Sequence, residues 1–259
     1  MPQTPADIDR LKDEEGVTCI MNTQQARAAA RAPTAAATPT DPACAHLLAH
    51  PAAQDKDMVY WNTDFSLLQQ RCLERGVLME RHPFPDFSAE GLRAGLPAAV
   101  SALDGLLESG HRVYLHCTAG MGRSPGVAIA YMYWFRGHAS LEEAYEVLTR
   151  VRPCGPNKEA IRGATCDLLA ATGPLFTLPP PPAEGSTWPA GRGAALSREE
   201  REQLQRRLRA ARPTTIAPDG SVLRASAWPL PAALGIIAAL LSRITHAPGD
   251  APPEEGTRP

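Results

Sequence analysis

The stretch Val113-Tyr114-Leu115-His116-Cys117-Thr118-Ala119-Gly120-Met121-Gly122-Arg123-Ser124 places a short apolar run, a cysteine, two glycines and an arginine in close succession. The apolar run predicts a β-strand, and the pattern after Ser124 predicts a helix. The glycines let the intervening chain turn tightly and approach an anion closely. A strand, a tight loop and a helix N-terminus in this order favour an anion-binding site, because backbone N–H groups and the helix dipole attract negative charge.

Cys117 and Arg123 lie six positions apart on this predicted loop. A planar guanidinium can donate to two phosphate oxygens at once, which a lysine cannot match. Cys117 faces the same electropositive concavity, which favours its thiolate, the nucleophilic form. The alternative is a buried, inert cysteine, a common environment for a free thiol. The coincidence of strand, glycines, arginine and helix favours the nucleophile.

The Cys-x5-Arg spacing resembles the signature of the protein tyrosine phosphatase superfamily in its dual-specificity branch. The fuller string Cys-Thr-Ala-Gly-Met-Gly-Arg is similar to that of the plant and algal glucan phosphatases of the starch-excess type, as are residues 55–61, 130–135 and 152–162. The resemblance covers about residues 3–25 and 55–172. It implies an α/β fold with a mainly parallel sheet flanked by helices, which the alternation of predicted strands and helices also indicates.

The resemblance implies a role for each residue around the loop. The phosphate-binding loop would consist of Thr118, Ala119, Gly120, Met121, Gly122 and Arg123. Expulsion of an alkoxide requires a proton donor, and the family places its general-acid aspartate in an Asp-Phe loop. That position is Asp86, 31 residues before Cys117. In the second half-reaction Asp86 would act as the base on water.

Two neighbours of the loop complete the predicted machinery. Ser124 is expected to hydrogen-bond the Cys117 sulfur and ease its departure. Plant glucan enzymes often carry Ala there, so Ser124 departs toward the general dual-specificity pattern. His116 ends the predicted strand, where we expect it to hold the loop by hydrogen bonds rather than to transfer a proton.

The predicted site needs no metal or other cofactor, because Arg123 and the loop amides already neutralise a phosphate dianion.

Composition argues against several classes of function. The six cysteines, Cys19, Cys44, Cys72, Cys117, Cys154 and Cys166, show no zinc-ligand spacing and indicate a reducing compartment. A formal net charge of −2 over 259 residues gives no basic footprint for nucleic acid.

The choice of substrate rests on the resemblance, which implies a phosphorylated glucan. Aromatic side chains stack on sugar faces, and Tyr60, Trp61 and Phe87 fall where the family lines its active-site channel. The alternative for Trp61 and Phe87 is a packing role. Two other functions stay open: a phosphatase acting on phosphoprotein Tyr, Ser or Thr, and a non-catalytic scaffold that binds glucan.

Shifts in composition divide the chain. We interpret residues 1–25 and 55–172 as the catalytic domain, and the Ala-, Thr- and Pro-rich residues 26–54 as a disordered insertion. Residues 173–195, with a four-proline run, predict a linker. Residues 196–212 predict a helix, which by resemblance corresponds to a short helix that the family packs on its core, and we expect its arginines on a solvated face. Residues 213–259 predict a low-complexity tail.

The tail contains an apolar run from Ala232 to Leu241, about half the length of a bilayer crossing. We expect a docking helix or an unstructured segment there, not a membrane anchor, and a monomeric protein. The resemblance implies a chloroplast location, with the cytoplasm as the alternative because no transit peptide is visible. The family also has a strand before the helix at Pro5; we expect it to be missing here, either from the protein itself or through truncation of the chain.

Local signals place further helix boundaries. Ser140 and Ser197, each followed three residues later by Glu, predict capping boxes. Ser88 predicts the start of one helical turn and Pro97 the start of a second helix, because proline suits the first turn. Phe65, Leu68, Cys72 and Leu73 predict the inward face of a helix that ends at Gly76.

Overall fold

The computed structural model describes residues 1–25, 64–171, 189 and 191–212. Three strands lie at β1 (Cys19–Asn22), β2 (Leu78–Arg81) and β3 (Val113–His116). Seven helices lie within the same residues: α1 (Pro5–Asp13), α2 (Phe65–Glu74), α3 (Ala89–Glu108), α4 (Arg123–Phe135), α5 (Leu141–Val151), α6 (Lys158–Ala170) and α7 (Arg198–Ala210).

The three strands form one parallel sheet in the order β2-β1-β3. In the centre, Cys19 is paired with both Leu78 and Val113, and Asn22 with both Arg81 and His116. All three strands therefore end at the same edge of the sheet, and the segments that follow them meet there. The predicted α/β class with a parallel sheet flanked by helices is confirmed.

Alternating residues of β1 belong to two different hydrophobic clusters, one on each face of the sheet. Ile20 packs with the apolar residues of α1 and α2, and Cys19 and Met21 pack with those of α3 to α7. Side chains alternate between the faces of a strand, so helices cover both faces of the sheet. This arrangement buries the whole central strand and explains why its four residues read as a continuous apolar run ending in Asn22.

Helix α3 corrects the prediction of two helices in residues 88–108. It is a single helix of 20 residues that contains Pro97 in its interior. Proline removes one backbone donor and crowds the preceding turn, yet Pro97 is buried in the packed face of the helix together with Leu96 and Val100. Tertiary packing therefore outweighs the local preference. Leu73 on α2 is a second correction, since it is 67% exposed rather than inward-facing.

The two predicted capping boxes differ in outcome. At α7 the Ser197 hydroxyl accepts from Glu200 N–H and the Glu200 carboxylate accepts from Ser197 N–H, so the box is complete. At α5 the Ser140 hydroxyl accepts from Glu143 N–H. The Glu143 carboxylate accepts instead from Ala139 N–H, one residue earlier, so this box is incomplete.

Part of the segment interpreted as a linker packs on the helices of the described core. The Tyr133 hydroxyl donates to Gly193 O at 3.1 Å, and Leu141 N–H donates to Ala194 O at 2.9 Å. Gly193 (φ 74°) has no room for a side chain, because a Cβ would fall 2.7 Å from Cys166 Sγ. Residues 191–195 are thus fixed to α4, α5 and α6. Residues 26–54 and 213–259 lie outside the described residues.

Helix α7 docks on α3, α4 and α6 through the buried side chains of Leu204 and Leu208. Arg198 and Arg206 lie on the predicted solvated face. Arg209 near the end of α7 and Arg212 just beyond it differ, because both pair with Asp104, which is 3% exposed. Burial raises the pKa of the Asp104 carboxyl. Two cationic partners therefore hold a carboxylate that the interior would otherwise disfavour. Within the described residues, no helix is long and apolar enough to cross a membrane.

Candidate active site

The candidate site forms where β3 ends and α4 begins. Cys117 directly follows the strand, and residues 118–122 turn back so that the helix starts at Arg123. Gly120 adopts φ 69°, a left-handed conformation that favours glycine. Gly122 is the N-cap of α4 and makes no side-chain cap, and a helix N-terminus of this kind attracts anions. The sequence predicted this strand, loop and helix.

The sulfur of Cys117 lies at the base of the loop. The residue as a whole is 3% exposed. Gly120 N–H donates to Sγ at 3.2 Å, and the Ser124 hydroxyl donates to it at 3.3 Å. Both donors can also stabilise a thiolate, the form of cysteine that attacks electrophiles. The sequence-based expectation of a Ser124 contact with this sulfur agrees with that geometry.

Arg123 reaches across the loop from the first turn of α4 and is 6% exposed. Its Nη2 donates to Thr118 Oγ1 at 3.0 Å, and its Nε lies 3.2 Å from Asp86 Oδ1. A buried guanidinium held at two points is oriented in advance for a planar, two-point contact with an anion.

Asp86 follows β2 on the adjacent loop, and its ion pair with Arg123 brings the predicted general acid to the phosphate loop. Its Oδ1 also accepts from Phe87 N–H at 3.2 Å. Phe87 is the one non-glycine residue with positive φ (55°) among the described residues, and its side chain is fully exposed. An exposed aromatic ring therefore stands next to the acid. Tyr60 and Trp61 lie outside the described residues.

Arg152, a residue without a role predicted from the sequence, stabilises the loop from its outer side. It follows α5, and its Nη2 donates to Ala119 O at 2.9 Å. A Cβ at Gly120 would displace the Arg152 guanidinium from its present position, so the glycine that the positive φ favours also permits this close approach. Nearby, Gly155 N–H donates to Met121 O at 2.9 Å. The α5–α6 connection thus fixes the loop conformation, and Arg152 also lines the cleft beside Cys117.

His116 has the positioning geometry that the sequence indicated. Its ring is 6% exposed, and Nδ1 lies 3.2 Å from Cys117 O. A carbonyl can only accept, so Nδ1 carries the proton in this contact. The Tyr114 ring packs against it with centroids 5.5 Å apart. These contacts hold the strand end from which the loop departs.

The other described cysteines have a different environment from Cys117. Burial raises the pKa of the Cys72 thiol to about 11 and also raises the pKa values of Cys19, Cys154 and Cys166. These thiols are therefore poor nucleophiles near neutral pH. Among the described residues, no group of three His, Cys, Asp or Glu side chains could hold a metal ion.

Comparison with known families supports the resemblance stated from the sequence. Residues 61–163 match the family model for the dual specificity phosphatase catalytic domain. This part of the chain is therefore similar to the dual-specificity phosphatases, as the Cys-x5-Arg spacing predicted.

The chain is also similar to phosphoglucan phosphatases of plants, as its signature loop predicted. It is 37% identical over 118 residues to the amyloplastic phosphoglucan phosphatase DSP4 of Castanea sativa, covering 45% of this chain and 31% of the relative. It is 38% identical over 110 residues to the chloroplastic phosphoglucan phosphatase LSF1 of Arabidopsis thaliana, covering 42% of this chain and 18% of the relative. The chain thus spans a third or less of these relatives.

A solved structure of PTPMT1 superposes with a TM-score of 0.42 at 18% identity, covering 63% of this chain and 83% of that one.

Proposed function

We propose that this protein removes phosphate monoesters from phosphorylated glucan, with Cys117 as the nucleophile. The arrangement that carries the proposal is the Cys117 sulfur between two hydrogen-bond donors, at the base of a loop that Arg123 spans and Asp86 adjoins. These groups supply the nucleophile, the anion clamp and the acid that transfer of a phosphoryl group requires.

In the first half-reaction the thiolate attacks phosphorus. The S–P bond forms while the P–O ester bond breaks, and Asp86 gives its proton to the leaving sugar oxygen. Arg123 and the loop N–H groups bind the equatorial phosphoryl oxygens, whose charge they balance in the transition state. Arg123 is already oriented by Thr118 and Asp86, so little reorganisation is needed.

In the second half-reaction water attacks the cysteinyl-phosphate. Asp86, now ionised, accepts a proton from the water as the new P–O bond forms and the S–P bond breaks. The sulfur leaves as a thiolate, to which the Ser124 hydroxyl and Gly120 N–H donate. Orthophosphate is released, and neither a metal nor another cofactor takes part.

Two observations support a glucan as substrate. The plant relatives are named phosphoglucan phosphatases, and the fully exposed Phe87 ring adjoins Asp86, where a sugar leaving group would lie. Tyr60 and Trp61 would extend this platform by resemblance. The names of the relatives also place them in plastids, which supports starch breakdown in a plastid as the setting. We expect a monomer that binds neither nucleic acid nor membrane.

The decisive experiment compares orthophosphate release from solubilised amylopectin, from a phosphopeptide panel and from a generic aryl phosphate. Release from amylopectin well above that from the peptides supports the proposal. Preference for the peptides would indicate a protein phosphatase instead. If the protein hydrolyses none of the three substrates but binds amylopectin, it would be a glucan-binding scaffold.

A further inference from the structure

The segment that follows the central strand lies between the two loops that carry the proposed chemistry. The acid loop follows β2 and the phosphate loop follows β3. Residues 22–25 comprise the last residue of β1, which pairs with both other strands, and the three residues after it. We call residues 22–25 the central segment. Because all three strands are parallel, the order β2-β1-β3 places this segment between Asp86 and Cys117 at the carboxyl edge of the sheet.

The backbone of the central segment is fixed to both neighbours. Thr23 donates to His116 O through its N–H at 2.9 Å and through its hydroxyl at 3.0 Å. His82 N–H, at the start of the acid loop, donates to Asn22 O at 2.9 Å. Asn22 Oδ1 in turn accepts from Gln24 N–H at 2.8 Å. The two glutamine side chains therefore depart from a rigid base.

Each glutamine contacts a different loop. Gln24, which is fully buried, donates from Nε2 to Thr118 Oγ1 at 3.2 Å, and the same oxygen accepts from Arg123 at 3.0 Å. Gln25 Oε1 accepts from Asp86 N–H at 3.2 Å. Gln24 thus reaches Arg123 through Thr118, whereas Gln25 holds the backbone of the acid itself.

Stability alone does not account for Gln24. Its Oε1 is buried without a hydrogen-bond partner in the part of the chain that the structure describes. An unsatisfied buried oxygen is destabilising, so an apolar side chain of similar length would serve the fold at least as well. Such a replacement would lose the hydrogen bond to Thr118 Oγ1 and a weaker one from Nε2 to Met1 Sδ at 3.1 Å, and of these two contacts only the first joins the phosphate loop.

We infer that Gln24 and Gln25 are positioning residues that act on opposite ends of the phosphate site, an inference that rests on the proposed phosphatase function. Gln24 sets the grip of Arg123 on the phosphate through Thr118. Gln25 sets the position of Asp86 over the leaving group. Neither side chain touches the reacting atoms.

The test separates the two roles with Gln24→Met and Gln25→Met, variants of similar length that lack the amide. Steady-state kinetics on an aryl phosphate and an alkyl phosphate are combined with the inhibition constant of tungstate, a phosphate mimic. Gln24→Met should weaken tungstate binding and raise KM for both esters by about 3- to 10-fold, the effect of one hydrogen bond. Its melting temperature should be unchanged or higher.

Gln25→Met should lower kcat for the alkyl ester by about 3- to 10-fold. The aryl ester, whose leaving group needs little protonation, and tungstate binding should change less than about twofold. Gln69→Met, at an exposed glutamine on α2, is the matched control and should leave all three measurements unchanged. In a double-mutant cycle, Gln24→Met and Thr118→Val should be non-additive because they remove the same contact.

Equal losses on both esters and on tungstate, accompanied by a lower melting temperature, would assign both glutamines a purely structural role. Unchanged kinetics and binding would overturn the inference as well. Because none of these probes is a glucan, failure on amylopectin would refute only the proposed substrate. If the wild type hydrolyses no ester, tungstate affinity still tests Gln24, and faster hydrogen exchange of the Asp86 amide in Gln25→Met still tests Gln25.

Discussion

At the scale of single residues, the site brings together groups that are far apart in sequence. Asp86 precedes Cys117 by 31 positions, yet its carboxylate pairs with Arg123. Cys117 receives hydrogen bonds from Gly120 and Ser124. Each of these groups has a separate proposed task, so substitutions should produce different kinetic signatures.

Cys117→Ser should abolish turnover on every ester while phosphate binding persists. A serine hydroxyl is not ionised near neutral pH, whereas the loop that binds the anion is unaltered. Release of orthophosphate checks turnover, and tungstate binding measured by calorimetry checks the loop. Substantial remaining activity would rule out a cysteinyl-phosphate intermediate.

Asp86→Asn should reduce kcat/KM strongly for alkyl phosphates and much less for aryl phosphates. An alkoxide is a poor leaving group unless an acid protonates it as it departs, whereas an aryl oxide leaves readily. General acid catalysis typically contributes a factor of about 10²–10⁴ to the rate. Equal losses on the two classes of ester would reject Asp86 as the acid.

His111 should contribute to the dependence of stability on pH. Burial lowers its pKa, and its Nδ1 lies 3.1 Å from Thr18 Oγ1, an oxygen that already accepts from Arg112 N–H. Neutral Nδ1 can accept the Thr18 proton, and a protonated ring cannot. This stabilisation is therefore complete above the unfolded pKa of about 6.5 and declines as the pH falls toward the lower folded value.

Urea unfolding of the wild type and of His111→Gln between about pH 7.5 and 5 tests this contribution. The variant should lose less stability than the wild type across that range. Parallel curves for the two proteins would show that another group is responsible.

At the scale of elements, the last described helix is an integral part of the catalytic unit. Gln205 of α7 donates to Trp134 O on α4 at 2.8 Å, and Ser101 of α3 donates to Leu208 O at 2.8 Å. Helix α4 also carries Arg123 at its N-terminus. Helix α7 therefore supports, from behind, the element that positions the phosphate loop.

Arg212→Ala should destabilise the fold by about 2–4 kcal/mol, because it leaves the Asp104 carboxylate buried with one cationic partner fewer. Arg206→Ala is the matched control: its side chain is 69% exposed and its pair with Glu202 spans 3.9 Å. The control should cost less than about 0.5 kcal/mol. Denaturant unfolding measures the free energy of unfolding of each variant. Similar losses of stability in the two variants would contradict a stabilising ion pair between Arg212 and the buried Asp104.

At the scale of the whole molecule, selectivity for a glucan depends on surfaces around the site. Phe87→Ala should lower activity on amylopectin by roughly 5- to 150-fold, the loss of one aromatic contact, while kcat/KM on a small aryl phosphate stays within a few-fold. The fully exposed Phe87 ring contributes little to packing, so the melting temperature should not fall. Trp61→Ala should behave in the same way if Trp61 belongs to the platform.

Leu73→Ala, at another exposed apolar side chain, is the control for general surface effects and should alter neither activity. A selective loss on phosphopeptides in Phe87→Ala would favour a protein substrate. A uniform loss together with lower stability in Trp61→Ala would assign that residue to packing.

By itself, the sequence determined the phosphate loop and its flanking elements. Strand, glycines, Cys117, Arg123 and helix are consecutive, so their geometry follows from local backbone preferences and short-range hydrogen bonds. The tertiary structure decided which distant residues contact the loop and its flanking elements. The single helix through Pro97, the pairing of Arg209 and Arg212 with Asp104 and the contacts of Gln24, Gln25 and Arg152 follow from packing. They join residues far apart in the chain, which meet because parallel strands end at one edge of the sheet.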